Sequence, residues 1–265
     1  MKTKSRITSI VNSHSLNSSI AGIPTFSLSQ LDLDTDLEVI LPANVRLGHV
    51  AERVVSELIK SSTNYTLLYE NIQILEGKKT IGEIDFILQE LHTHEITHVE
   101  LAYKFYLYDP AHSSKPIQNW IGPNRNDSLQ EKLDKLEKKQ FPLLYHHCAE
   151  STFEDIDLAD VSQALCLLVS LYIPYECKKS FNPDYQKGIK GCYLDFETFT
   201  TLEDSATFYY VPTKKEWGID PSENEIWTEL PGIQQQIKAF MLEKQAPLVW
   251  QKKGNTYTQF FIVWW

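Results

Sequence analysis

The chain has no Cys-x-x-Cys pair, no long apolar run, no excess of basic charge, no internal repeat and no Gly/Ser linker. Each lack excludes something. Cys148, Cys166, Cys177 and Cys192 stand singly, so a structural zinc site of paired spacing is unsupported and free thiols in a reducing compartment are expected. The longest apolar run, Ala164 to Ile173, contains a serine and falls far short of the ~20 residues that cross a bilayer. Lys2, Lys4 and Arg6 resemble the start of a signal peptide, but Ile7 to Ser19 is broken by Ser, Asn and His, so a cytoplasmic location is expected. With 25 Lys and Arg against 35 Asp and Glu, the formal net charge is −10. That balance argues against a surface that coats nucleic acid, because phosphate binding draws on many Lys and Arg contacts. It leaves open an acidic site that takes its positive charge from a metal.

What is present is more telling. Gly82-Glu83-Ile84-Asp85-Phe86 alternates at a period of two, with Ile84, Phe86 and Leu88 on one face and Glu83 and Asp85 on the other. Fifteen residues after Asp85, Glu100-Leu101-Ala102-Tyr103-Lys104 repeats the pattern. There Val99, Leu101, Tyr103, Phe105 and Leu107 share one face, and Glu100, Ala102 and Lys104 the other. Paired strands of this kind bring Asp85, Glu100 and Lys104 to one patch. Carboxylates hold a hard divalent cation, and a lysine beside them orients or activates water. Either strand alone reads better as the solvated face of an amphipathic hairpin. Ile81, Ile87 and Ala102 share the acidic face, however, and point to partial burial.

Around this pair the chain reads as mixed α/β. Residues 1–45 form an irregular or partly helical lead-in, with Asp32, Asp34, Asp36 and Glu38 near its end. A helix from Arg46 to Lys60 follows from the helical spacing of Leu47, Val50, Ala51, Val54, Leu58 and Ile59, with Glu52 at the edge of the stripe. Tyr65–Tyr69 and Asn71–Leu75 read as two short strands. His92, His94 and His98 match H-x-H-x3-H, a metal-like spacing, yet their place at an expected turn favours solvated residues. A helix runs from Ser128 to about Gln140, where Lys132, Lys135 and Lys139 decorate one face. With Arg125, Lys132 is a candidate phosphate contact, although such a pattern is more often a solvated face. Ala164–Tyr175 tilts towards strand. Gly191–Phe199, Thr207–Val211 and Tyr257–Trp265 read as strands, and Pro231–Lys244 as a helix opened by its proline.

Four pieces carry a resemblance: Leu47-Gly48 with Glu52; Gly82-Glu83-Ile84-Asp85-Phe86; Glu100-Leu101-Ala102 with Lys104-Phe105-Tyr106-Leu107; and Gly122-Pro123-Asn124-Arg125 with Asp127. The order of the first three resembles the PD-(D/E)XK nuclease superfamily, and the combination looks like a bacterial family catalogued as domain of unknown function 1853. The resemblance covers roughly Arg46 to Gln140. It implies a restriction-endonuclease-like core, 46–145, with a central mixed β-sheet flanked by helices. The C-terminal region, 146–265, reads as β-rich and is expected to pack on that core, because it carries five of the six Trp, no flexible linker precedes it and its apolar runs need a partner. The resemblance also implies Mg²⁺ or Mn²⁺ held by Asp85 and Glu100, with Lys104 and Glu52 as catalytic residues and Glu83 as a supporting neighbour. The implied activity is hydrolysis of phosphodiester bonds in DNA or RNA. An inactive member that binds nucleic acid or protein is the alternative. One departure stands out. The superfamily pattern places lysine two residues after the glutamate, where this chain has Ala102; Lys104 keeps the face but lies ~6–7 Å further along the strand.

Overall fold

The computed structural model describes residues 3–33, 37–42, 44–202 and 206–265. Lys2, Asp34 and Asp36, noted above, lie outside them. Among the described residues, seven α-helices and ten strands make a mixed α/β protein. In chain order they are α1 (Thr3–Val11), β1 (His14–Ser15), α2 (Ser18–Ala21), α3 (Leu47–Ser61), β2 (Tyr65–Glu76), β3 (Lys79–Glu90), β4 (Ile96–Tyr108), β5 (Trp120–Ile121) and α4 (Leu129–Lys135). There follow β6 (Ser162–Pro174), α5 (Pro183–Gly188), β7 (Ile189–Asp195), α6 (Phe196–Thr201), β8 (Thr207–Tyr210), α7 (Leu230–Leu242), β9 (Leu248–Lys253) and β10 (Thr256–Val263). The residues gather into two compact units, each built from separated stretches: 10–104 with 131–168, and 1–9 with 105–130 and 169–265. Helices α1 and α4 and strands β4 and β6 contribute residues to both.

In the first unit the strand order is β2-β3-β4-β6, with β1 on β6. The β2 and β3 strands form a long antiparallel hairpin closed at Gly77, whose φ of 62° suits glycine. The two short strands expected at 65–69 and 71–75 are one strand with register shifts, and Asn71 takes a left-handed φ of 53° within it. Irregularity, not a break, separates the two apolar runs. Helix α3 buries Val50, Ala51, Val54, Leu58 and Ile59 and packs on β2, where Ser56 and Lys60 both donate to the Glu70 carboxylate. The lead-in is tied to β6: Leu16 N donates to Leu167 O at 2.9 Å, and Phe26 N to Leu165 O at 3.0 Å. Asp32, which receives Ser62 and Thr63 just past α3, has a pKa lowered by those hydroxyl hydrogen bonds.

The helix expected over 128–140 departs from regularity. α4 ends at Lys135, a π-helical turn spans Leu136–Gln140, and a 3₁₀ turn spans Phe141–Tyr145 with Pro142 near its start. A proline lacks the amide that would continue an α-helix, so the tighter turn takes over. Leu143 of that turn seats on Gly82 of β3, where an added Cβ would stand 2.6 Å from Leu143 Cδ2. The glycine of the Gly-Glu-Ile-Asp string therefore makes room for the 3₁₀ turn.

The second unit has the order β6-β7-β10-β9-β8, parallel from β6 to β7 to β10 and antiparallel beyond. Its core gathers Leu194, Phe199, Tyr209, Ile233, Ile237 and Phe260. The strand expected over 191–199 stops at Asp195, whose carboxylate caps α6 by accepting from Thr198 N at 2.7 Å. N-capping overrides the β-prone aromatics that follow. Strand β9 was not anticipated, although Gly254-Asn255 after it is a hairpin signal, and Gly254 has the φ of 57° that such a turn requires. No helix among the described residues is long and apolar enough to cross a membrane. All four cysteines are free.

Candidate functional site

Asp85 and Glu100 lie on the adjacent antiparallel strands β3 and β4. The paired register runs from Gln89↔Ile96 to Phe86↔Val99, and its next step would set Asp85 against Glu100. At that step a side chain enters the strand boundary: Leu101 N donates to Asp85 Oδ2 at 2.8 Å. The acidic face is buried more deeply than its alternation suggested, with Asp85 7% and Glu100 0% exposed. Both faces of β4 are covered, so Ala102 is buried as well and fills the space next to Glu100 without a polar group.

Burial pushes the Asp85 pKa well above the usual carboxylate range, and the Glu100 charge pushes it further. The Leu101 amide opposes the shift, Glu52 adds to it, and Lys132 opposes it. Lys132, half-buried on α4, has its pKa lowered first by desolvation. Glu100 and Asp85 favour its charge, whereas Lys104 and Lys135 disfavour it. Glu52, Asp85, Glu100, Lys104 and Lys132 thus share one electrostatic neighbourhood. Asp85 is poorly compensated there, which is the condition that favours a cation or a proton.

A hydrogen-bond chain fixes Glu100. Gln163 Nε2 donates to Phe141 O at 2.8 Å and lies 3.3 Å from His98 Nδ1. An amide nitrogen only donates, so His98 accepts at Nδ1 and donates from Nε2 to Glu100 Oε1 at 2.9 Å. The second oxygen, Oε2, receives Gln140 Nε2 at 2.6 Å, and Gln140 Oε1 accepts from Lys132 Nζ at 3.2 Å. His98 therefore corrects the sequence expectation: it is fully buried on β4, while His92 and His94 are exposed at the turn. The signal was present, since His98 sits two residues before Glu100 on the same strand face. Gln140 gave no such signal. Eight residues separate it from Lys132, which on a regular α-helix leaves the two side chains about 80° apart. The π turn inserts one residue and reduces the offset to about 20°.

The other candidates fall as follows. Glu52 is half-buried on α3 and pairs with His49 Nδ1 at 2.8 Å. Lys104 is half-buried near the end of the β4 segment in this unit. Glu83 meets Gln73 Nε2 of β2 at 3.5 Å. Lys132, expected as a phosphate contact, donates to Gln140 and lies within electrostatic reach of Glu100 and Asp85. Arg125 belongs to the second unit, where its guanidinium pairs with Asp109 Oδ2 at 2.9 Å and lies 4.5 Å from the centre of a Trp265 ring.

The donor set suits a hard cation. Each Glu100 oxygen carries a further lone pair beyond its hydrogen bond, and ligating carboxylates are ordinarily oriented by such outer bonds. Among the described residues, no set of three His, Cys, Asp or Glu donor atoms within 4.8 Å of one another includes Asp85 or Glu100. Two carboxylates nonetheless suffice for Mg²⁺, which keeps several of its waters.

No curated protein and no solved structure matches the chain. The matching family model extends well beyond the stretch 46–140 that carries the sequence resemblance, through the C-terminal half. The chain belongs to the family described as Domain of unknown function (DUF1853), whose model matches residues 8–260.

Proposed function

We propose that this protein is a divalent-metal-dependent nuclease whose cation site is Asp85 and Glu100. The observation that carries the reading is the pair of buried carboxylates on adjacent strands, with Asp85 held far from its ordinary titration range. An enzyme site tolerates such repulsion because the bound state relieves it. The order of Glu52, Asp85 and Glu100 along helix, strand and strand supports the PD-(D/E)XK likeness. Lys132 offers an answer to the missing lysine at Ala102: its ammonium reaches the carboxylates from α4, not from β4.

A divalent cation at this site supplies Lewis acidity and charge for the phosphoryl oxygens. Asp85 and Glu100 would hold it, and the His98 and Gln140 bonds keep Glu100 from turning away. Lys132 Nζ, steadied by Gln140 Oε1, donates to the attacking water and orients it. Glu52 acts through water, since its carboxylate is engaged by His49. Lys104 adds positive charge beside the substrate phosphate. The test is cleavage of single- and double-stranded DNA and RNA with Mg²⁺ or Mn²⁺, comparing the parent with Asp85→Asn and Lys132→Met. Metal-dependent cleavage lost in both variants supports the reading; the same cleavage in parent and variants overturns it.

A second reading is a binding module without cleavage. It is favoured by a polar cavity of about 550 Å³ in the second unit lined by Arg125, Lys214 and Lys244 together with Trp264. Cations beside an indole suit a phosphate and a stacked base. Oligonucleotide binding that Lys214→Glu weakens, with no hydrolysis under any metal, would favour it.

A further inference from the structure

We propose that His146, His147 and Cys148 form a separate transition-metal site, suited to Zn²⁺. The three side chains follow one another directly, and in an extended strand they would alternate sides and could not share an ion. Here they occupy a turn. His146 N donates to Leu143 O at 3.1 Å and Ala149 N to His146 O at 2.7 Å, so the backbone folds round the three residues. Their donor atoms all lie within 4.8 Å of one another. The two imidazole centres are 4.3 Å apart, and Cys148 Sγ is 3.3 Å from His147 Nε2. A tetrahedral zinc with ordinary Zn–S and Zn–N bonds sets sulfur and nitrogen about 3.5 Å apart, so this edge of the polyhedron is already formed.

The turn is anchored at both ends. Leu143 and Leu144 before it, and Ala149 and Phe153 after it, are buried in one apolar cluster with Cys148 packed against it. Cys148 N also lies 3.3 Å from His146 Nδ1, which orients that ring within the turn. Little chain entropy is left to lose when an ion binds. His147 is exposed, so the ion has a path from solvent, and three protein donors leave a fourth position for water or another ligand. The chemistry separates this site from the carboxylate pair. A thiolate with imidazoles selects a borderline or soft ion, whereas Asp85 and Glu100 offer only hard oxygen. The proposal stands apart from the nuclease reading.

The experiment is titration of the purified protein with Co²⁺, followed by displacement with Zn²⁺. One equivalent should bind at low-micromolar metal and produce the thiolate-to-cobalt charge-transfer band. Cys148→Ser should abolish that band, and His147→Gln should weaken binding by more than about 100-fold, beyond the range seen for lost outer-shell partners. Asp85→Asn should leave both unchanged. His147 is exposed, so its substitution keeps the fold, which an unchanged melting temperature of the metal-free variant verifies. Absence of the thiolate-to-cobalt band in the parent would overturn the site and leave a thiol–imidazole contact in a turn. A charge-transfer band that persists in Cys148→Ser would overturn it equally, by assigning the metal to another cysteine.

Discussion

Each unit buries charge, and the two treat it in opposite ways. In the second unit the Arg6 guanidinium of α1 is fully buried, with Nη1 donating to Trp217 O at 2.8 Å and Nη2 to Lys215 O. A fixed donor fork meets carbonyls that need donors, so the charge holds a loop in place. In the first unit Asp85 and Glu100 are buried with like charge beside like charge, and Asp85 responds by a raised pKa. The first arrangement supports the fold. The second burdens it, and such a burden is expected where a ligand or a proton relieves it.

That contrast can be broken by substitution. The largest expected effect is on activity: Asp85→Asn should reduce metal-dependent cleavage by about 10³-fold or more and erase the thermal stabilisation that Mn²⁺ gives the parent, because an ion stabilises only a state that binds it. Lys132→Met should lower kcat by roughly 10²–10³-fold while Mn²⁺ binding persists, which single-turnover kinetics and thermal shift would separate. Next in size is Arg6→Met. It leaves two buried carbonyls without their charged donor and should cost about 3 kcal/mol, read as a lower urea midpoint with an unchanged m-value.

Asp85→Asn should move stability the other way in metal-free protein. Folding raises the Asp85 pKa, so the parent's stability contribution from this group is complete below the usual carboxyl range and drains as pH rises through the raised value. Asparagine does not titrate and still accepts from Leu101 N. Its stability advantage should therefore be small in acid and grow with pH, by roughly 2–4 °C of melting temperature for each kcal/mol recovered. A constant difference across pH would show that Asp85 is not the titrating group. The smallest effect belongs to Glu83→Gln, expected within about 0.5 kcal/mol and without loss of activity, since Glu83 meets Gln73 and not the paired carboxylates.

Several features were legible because they depend on local periodicity. The stripe of α3, the turn at Gly77 and the acidic strand after it, and the shared face of Glu100 and Lys104 follow from spacing alone. The Ala164–Ile173 run reads as strand because Val, Tyr and Ile suit it, and it is β6. Illegible features have particular causes. Helix α6 arises because Asp195 caps a turn that the aromatic pattern disguises as strand. The two interleaved units have no boundary signal, since the chain passes between them inside α1, β4, α4 and β6, at residues whose own pattern is continuous helix or strand.

The sequence by itself determined the paired carboxylates. A period of two, combined with a short connection, aligns Asp85 with Glu100 once the strands pair, and no distant residue is needed for that. Only the tertiary structure decided what surrounds them. Gln140 reaches Glu100, and Lys132 reaches Gln140, because a π turn shifts the helical phase, and His98 is held by Gln163 from a strand more than sixty residues further along. Burial was decided at the same level. A strand's own pattern names its two faces, but whether the polar face meets water or protein depends on which elements come to rest against it.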